Sequence, residues 1–169
     1  VSNTPVFNKS VVPFIENGGV YAIANIRGGG EFGEKWHEAG KRDKKQNVFD
    51  DFVAAAEWLI REKYTTSCRL AIFGWSNGGL LTATTLTQRP ELFKIVVIGA
   101  PVIDMLRYHL FFGGRHWIPD YGSVEEEEMF HYLLAYSPYH NVKNGALYPA
   151  TLIVTANKDD RVHPMHAFK

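Results

Sequence analysis

A Gly-Trp-Ser-Asn-Gly sequence stands at residues 74–78, directly after the apolar run 69–73 and before a second apolar run that begins at Leu80. This is the G-x-S-x-G pattern in a strand, sharp turn and helix context, which holds a serine hydroxyl exposed at the start of a helix. We expect a strained backbone at Ser76, and glycines at 74 and 78 because side chains there would collide with the neighbouring strand or helix. The pattern predicts acyl transfer with Ser76 as the nucleophile and the backbone N–H of Asn77 as one oxyanion donor.

A serine nucleophile also needs a base that is oriented by a carboxylate. The acid that follows Ser76 in the expected chain order lies in the loop after the apolar run 151–155, where Asp159 and Asp160 are adjacent. Parallel strands gather an active site at their carboxyl ends, so both Ser76 and this loop would lie at the same edge of the sheet. The pattern does not choose between the two aspartates.

The base is the difficult part of the site. Only His163 and His166 follow the acid pair, and they lie four and seven residues beyond Asp159. A base placed after a further helix and strand would lie roughly 30–40 residues on. We therefore expect the catalytic histidine to lie outside this chain, with His163 or His166 as the alternative, and we find no convincing second oxyanion donor before Val20.

Alternating apolar runs and helical patterns predict the elements that position these residues. The predicted strands are 20–26, 69–73, 94–98 and 151–155, and the predicted helices begin at the N-cap Asn47, after Ser76, at a Ser123–Glu126 capping box and near Pro164. This alternation indicates an α/β fold with a mostly parallel sheet and helices on both faces. Residues 1–169 read as part of one such domain, with abrupt ends.

The composition and motifs of the chain argue against several kinds of partner and ligand. Eighteen basic and eighteen acidic residues cancel, which gives no indication of nucleic acid or an anionic membrane as a partner, and no apolar stretch is long enough to span a bilayer. Cys68 is the single cysteine, and no cluster has the spacing of a metal site, so we expect neither metal nor cofactor. The Arg27-Gly-Gly-Gly segment lacks the complete pattern of a nucleotide-binding loop.

The chemistry of three further residues allows either a functional or a purely structural interpretation. Arg161 could hold a substrate carbonyl or carboxylate, or it could pair with Asp160 for structure. Trp117 and Tyr121 belong to an aromatic-rich insert over residues 101–122, where aromatic side chains are ordinarily core.

Several longer stretches narrow the class of protein. They are Ala24–Glu31, Lys45–Phe52, Gly74–Leu81, Gln88–Phe93, Asp120–Gly122, Tyr136–Val142 and Asp159–Val162. Taken together, over nearly the whole chain, they resemble the catalytic domain of the prolyl oligopeptidase family of serine peptidases, which has the α/β-hydrolase fold. The resemblance leads us to expect the family's β-propeller, its oxyanion tyrosine and its catalytic histidine outside this chain.

The resemblance implies a role for each matching residue. Ser76 would be the nucleophile, Asp159 the triad acid and Asn77 the oxyanion donor, while Arg161 would bind a substrate carbonyl near the scissile bond. Trp117 would stack on a proline ring, in a pocket lined by Tyr121, Val102 and Val162. An aromatic slot suits proline because its ring is apolar and its nitrogen carries no hydrogen.

The resemblance leads us to expect a peptidase that cleaves short peptides after proline, with no cofactor, no nucleic-acid or membrane partner, a monomeric full-length protein and a cytoplasmic location, or a periplasmic one as the alternative. A sibling dipeptidyl, acylaminoacyl or basic-specific peptidase, an esterase, or a non-catalytic binding module of the same fold are the competing interpretations. A pocket acid would favour the basic-specific sibling, and no acid in the sequence is evidently placed for it. This chain alone is expected to be inert, since a triad without its base loses most of its acceleration.

Overall fold

The centre of the molecule is a three-stranded parallel sheet, which a computed structural model describes together with the rest of residues 2–169. Its strands are β1 (Ala71–Trp75), β2 (Ile95–Gly99) and β3 (Ala150–Val154), in the order β1-β2-β3. The register pairs Trp75 with Gly99 and Gly99 with Val154, so the three carboxyl ends are level. The loops after all three strands therefore open at one edge.

Helices supply most of the remaining structure. The α-helices are α1 (Val12–Glu16), α2 (Glu34–Glu38), α3 (Gln46–Arg61), α4 (Asn77–Gln88), α5 (Ile118–Tyr121), α6 (Glu127–Tyr136), α7 (Pro138–Asn141) and α8 (Met165–Phe168). Short 3₁₀ helices span Arg42–Lys44, Ser67–Arg69, Pro90–Leu92, Tyr108–Leu110 and Phe112–Trp117. The connection from β1 to β2 runs through α4, which is the crossover that parallel strands require.

Two apolar clusters make the core. One packs α3 and α4 against the sheet and consists of Ala56, Ile72, Ala83, Leu92, Phe93, Val96 and Ile98. The other lies beyond the carboxyl edge and consists of Phe49, Leu80, Val102, Met105, Tyr108, Tyr121, Leu133, Tyr136 and Val162. The second cluster holds the 101–122 insert against α3, α4 and α6, so it fixes the loops that surround Ser76.

Three local predictions are wrong. Residues 20–26 form no strand, because no segment within residues 2–169 lies beside them to form a ladder, and Val20 and Ile23 are largely exposed. Helix α3 begins two residues earlier than predicted, with Lys45 as its N-cap, so Asn47 lies inside it and its side chain donates to the carbonyl oxygen of Ala39. Helix α6 takes Glu126 as its N-cap, while the hydroxyl of Ser123 instead accepts a hydrogen bond from the N–H of Glu125.

One face of the sheet carries apolar side chains that are exposed within residues 2–169. Phe73 and Leu152 lie in line across it, and the ring of Trp75 lies over Gly99, where a Cβ atom would overlap the indole. The opposite face, which includes Ile72, Val96 and Ile98, packs against the helices. Within the described chain, helices therefore cover this opposite face.

Candidate active site

The turn between β1 and α4 holds Ser76 in a strained conformation, as predicted. Its backbone has φ 57° and ψ −116°, a region that side-chain-bearing residues rarely occupy and that costs of order 1–3 kcal/mol. The turn is fixed from two directions: the N–H of Ser76 donates to the carbonyl oxygen of Gly99 (2.9 Å), and its carbonyl oxygen accepts from the N–H of Leu80 (3.1 Å). The sheet and the helix together hold the side chain at the helix start.

The three glycines around Ser76 differ in whether a side chain would fit at their positions. A Cβ atom at Gly74 would overlap the carbonyl oxygen of Gly78, so strand and helix approach too closely there for any side chain. At Gly79 a Cβ atom would lie 2.7 Å from the carbonyl oxygen of Gly99. At Gly78 a Cβ atom would meet nothing within 4 Å, so the predicted collision at that position is wrong for the described residues.

A small pocket opens beside Ser76. Its volume is about 160 Å³, at the scale of one side chain, since pockets for whole ligands usually measure about 300–1,000 Å³. The lining residues are Ser76, Asn77, Val102, Trp117, Asp120, Tyr121, Arg161 and Val162. The fold thus brings together every residue that the resemblance assigned to the nucleophile, the oxyanion donor and the proline pocket.

The pocket walls are held by the core behind them. Val102, Tyr121 and Val162 are almost fully buried members of the second cluster, and Trp117 packs against it. The hydroxyl of Tyr121 donates to the side-chain oxygen of Asn77 (2.8 Å), and burial raises the pKa of Tyr121 well above its ordinary value, so this hydroxyl stays protonated. The pocket wall and the residue after Ser76 are therefore joined by a hydrogen bond.

The two aspartates in the loop after β3 differ in burial and in hydrogen bonding. Asp159 is half-buried, and its Oδ1 accepts hydrogen bonds from the backbone N–H groups of Arg161 and Val162, both at 2.9 Å. Asp160 is exposed. Within residues 2–169 the guanidinium of Arg161 forms no ion pair with either carboxylate, which removes the structural reading of this arginine, and it faces the pocket.

The two histidines beyond the acid pair are engaged elsewhere. His166 is buried, and its Nδ1 accepts from the backbone N–H of Asp104 (3.1 Å). His163 accepts from the N–H of Met165 (3.1 Å), and its ring packs against Phe111. In the described chain neither imidazole hydrogen-bonds to Ser76 or Asp159, so an external base remains our prediction.

Sequence reasoning missed two charged residues at this site, although both stand in stretches quoted for the resemblance. Asp120 lines the pocket, contrary to the expectation that no acid is placed there. Two cations face its carboxylate at 3.9 Å, His37 when protonated and Lys41. Lys45 lies behind the pocket, with its ammonium group 5.1 Å from the centre of the Tyr121 ring, and burial lowers its pKa to about 8 despite the attraction of Asp120.

The Arg27-Gly-Gly-Gly segment contacts the two helices beside these cations. Arg27 donates through its backbone N–H and its Nε to one oxygen of Asp51 on α3 (2.9 and 2.8 Å) and through its guanidinium to the other (2.5 Å). The carbonyl oxygen of Gly28 is 2.7 Å from Nδ1 of His37 on α2. The loop therefore fixes α2 and the start of α3 against the pocket.

A strained serine at a strand-to-helix turn, above the carboxyl edge of a parallel sheet, defines the α/β-hydrolase class. Residues 5–169 match the model of the prolyl oligopeptidase family. The chain belongs to the prolyl oligopeptidase family.

Individual relatives agree with this assignment. The chain is 51% identical to the prolyl endopeptidase of Elizabethkingia miricola, over 100% of the chain and 24% of that relative. A solved prolyl endopeptidase is 59% identical, with a TM-score of 0.94 over 96% of this chain and 24% of its own. A post-proline cleaving enzyme from Rickettsia typhi is 42% identical, with a TM-score of 0.96 over 98% of this chain and 24% of its own. The chain spans about a quarter of the length of these proteins.

Two negative findings apply to residues 2–169. No helix there is long and apolar enough to cross a membrane. In the same residues, no group of three or more His, Cys, Asp or Glu side chains could hold a metal ion.

Proposed function

We propose that the complete protein is a serine peptidase that cleaves short peptides on the carboxyl side of proline. The observation that carries the proposal is the strained Ser76 turn, which opens directly into a one-residue pocket walled by Trp117, Tyr121, Val102 and Val162. The apolar walls of this pocket suit a proline ring, which needs no polar partners. The relatives named above are prolyl endopeptidases or a post-proline cleaving enzyme.

In this mechanism the hydroxyl of Ser76 attacks the carbonyl carbon of the proline residue and gives its proton to a histidine that we expect to lie outside this chain. The oxyanion that forms accepts a hydrogen bond from the N–H of Asn77, at the positive end of α4. The guanidinium of Arg161 forms no ion pair within residues 2–169, lines the pocket and would hold a substrate carbonyl. These contacts strengthen as charge develops on the substrate, which is what accelerates acylation.

Asp159 is the triad acid in this proposal. Its Oδ1 accepts from two backbone N–H groups, which fixes the carboxylate, while its Oδ2 forms no hydrogen bond within residues 2–169. That second oxygen is available to accept from Nδ1–H of an imidazole, which would hold the base in its active tautomer. The tetrahedral intermediate collapses to an acyl-enzyme as the peptide C–N bond breaks and the leaving amine takes the proton from the histidine, and water then hydrolyses the acyl-enzyme. The proposal includes no metal or cofactor.

Asp120 supports a second candidate, a sibling peptidase that prefers a basic residue. A carboxylate that lines the pocket would attract a substrate lysine or arginine. Lys41, and His37 when it is protonated, lie 3.9 Å from the carboxylate, and Lys45 also attracts it. Because these groups already offset the charge of Asp120, we favour proline.

The test is cleavage of blocked fluorogenic peptides that end in Pro, Arg or Ala, and of a free-amino X-Pro amide, by the complete protein with Ser76→Ala as the control. Preference for blocked Pro supports the proposal. Preference for Arg that disappears in Asp120→Asn supports the basic-specific sibling, and preference for the free-amino substrate supports a dipeptidyl peptidase. A folded protein that cleaves none of them would be a non-catalytic binding module. We further propose that the partners of the complete protein are short proline-containing peptides. We also propose that the complete protein is a monomer and lies in the cytoplasm.

A further inference from the structure

Lys45 occupies a position that works against the stability of the fold. It is only 5% exposed, and within residues 2–169 its ammonium group forms neither a hydrogen bond nor an ion pair. It is also the N-cap of the 16-residue helix α3, where the helix dipole disfavours a cation. A charged group retained under two such penalties indicates a role other than stabilising the fold.

The surroundings of Lys45 indicate what that role is. Its Nζ lies 5.1 Å from the centre of the Tyr121 ring, within the range of a cation–π interaction. The carboxylate of Asp120, the neighbour of Tyr121, favours the charged form of the ammonium. Lys45 itself does not line the pocket, so it reaches the site only through these neighbours.

Tyr121 carries the effect of Lys45 to the nucleophile turn. Its ring forms one wall of the pocket, and its hydroxyl donates to Oδ1 of Asn77 at 2.8 Å. A cation against the ring face draws electron density from the ring, which makes the hydroxyl a stronger hydrogen-bond donor. The same contact holds the plane of the ring.

We propose that Lys45 is a positioning residue that acts through Tyr121, setting the proline-pocket wall and the side chain of Asn77 beside Ser76 together. The proposal rests on the proposed peptidase function. Lys45→Met, which keeps the volume and removes the charge, should leave the thermal midpoint of the complete protein unchanged or higher. It should also lower kcat/KM for a blocked Pro substrate about tenfold, within the range of a desolvated cation–π contact.

A double-mutant cycle separates this role from simple packing. Tyr121→Phe keeps the ring and removes the hydroxyl, so Lys45→Met should lower kcat/KM by less than about threefold in that background, because interacting residues are non-additive. Lys45→Arg is the matched control, since a guanidinium also stacks on aromatic rings, and it should recover most of the activity. An undiminished loss in the Tyr121→Phe background, or unchanged kinetics with a lowered thermal midpoint in Lys45→Met, would overturn the proposal.

The rate of Ser76 labelling by a fluorophosphonate probe distinguishes failure of this inference from failure of the proposed function. A wild-type protein that labels but does not cleave after proline refutes the substrate class, and the same cycle run on labelling rates then tests Lys45. A wild-type protein that cleaves after proline with no effect of Lys45→Met refutes only the role of Lys45. A folded wild-type protein that neither labels nor cleaves overturns both proposals.

Discussion

The two glycines that flank Ser76 should respond in opposite directions to the same substitution. Gly74→Ala places a methyl group onto the carbonyl oxygen of Gly78, so β1 and α4 must separate. Overpacking of this kind costs about 1–3 kcal/mol. At about 2 kcal/mol, the thermal midpoint of the complete protein should fall by no more than roughly 4–8 °C, since the shift of about 2–4 °C per kcal/mol applies to 150–250 residues and is smaller in a longer protein. Because the strained Ser76 lies inside the distorted turn, activity should fall with it.

Gly78→Ala is the matched control within the same motif. Gly78 lies in α4, its Cβ atom would meet nothing within 4 Å, and its φ is not in the left-handed region. Replacing a helical glycine by alanine stabilises by about 0.5–1 kcal/mol, so the midpoint should hold or rise. Differential scanning fluorimetry and kcat/KM on both variants of the complete protein are the assays. An unchanged midpoint in Gly74→Ala, or an equal fall in both variants, would refute the steric reasoning.

Three further predictions concern the pocket, the buried histidine and the chain alone. Trp117→Ala should lower kcat/KM for blocked Pro substrates by about 10- to 100-fold, the value of burying one apolar side chain, while Trp117→Phe keeps most of it; equal losses in kinetic assays of the two would contradict a ring platform. Burial lowers the pKa of His166 to about 4, below its ordinary value of 6.5, so the unfolded chain binds more protons between these values and stability should fall by up to about 3 kcal/mol as pH drops from 6.5 to 4. Denaturant titrations across that range should show a flatter dependence in His166→Gln, and an unchanged slope would rule out this histidine as the cause. The 169-residue chain alone should not hydrolyse peptides, a prediction that fails if it shows turnover that Ser76→Ala abolishes.

The sequence predicted the Ser76 turn and the strands around it because these depend on local chemistry. A glycine-flanked serine between an apolar run and a helical pattern has few other solutions, and the α/β fold followed from the alternation of such runs. The segment at 20–26 was predicted wrongly because a strand needs a ladder partner, and the partner is not a property of the segment itself. The sequence pattern alone could not tell Asp159 from Asp160, because it does not show which side chain turns back onto the amides of Arg161 and Val162.

The charged surroundings of the pocket were the least predictable part of the site. Asp120 lies 75 or more residues from the cations that face it, and only the folding of the Arg27-Gly-Gly-Gly loop onto α3 brings His37 and Lys41 to it. The burial of Lys45 is likewise a tertiary effect, since a lysine before a helix ordinarily lies in solvent. The resemblance identified the stretches that hold both residues, but not what they contact.

Ser76 should be acylated by a substrate whose proline ring occupies the adjacent pocket. The direct measurement is peptide mapping, by mass spectrometry, of the complete protein after reaction with a blocked peptidyl-proline phosphonate. We expect one adduct, on Ser76 within the tryptic peptide Leu70–Lys94, which forms about 10- to 100-fold more slowly after Trp117→Ala. An adduct on another residue, or no adduct in a protein that cleaves after proline, would contradict it.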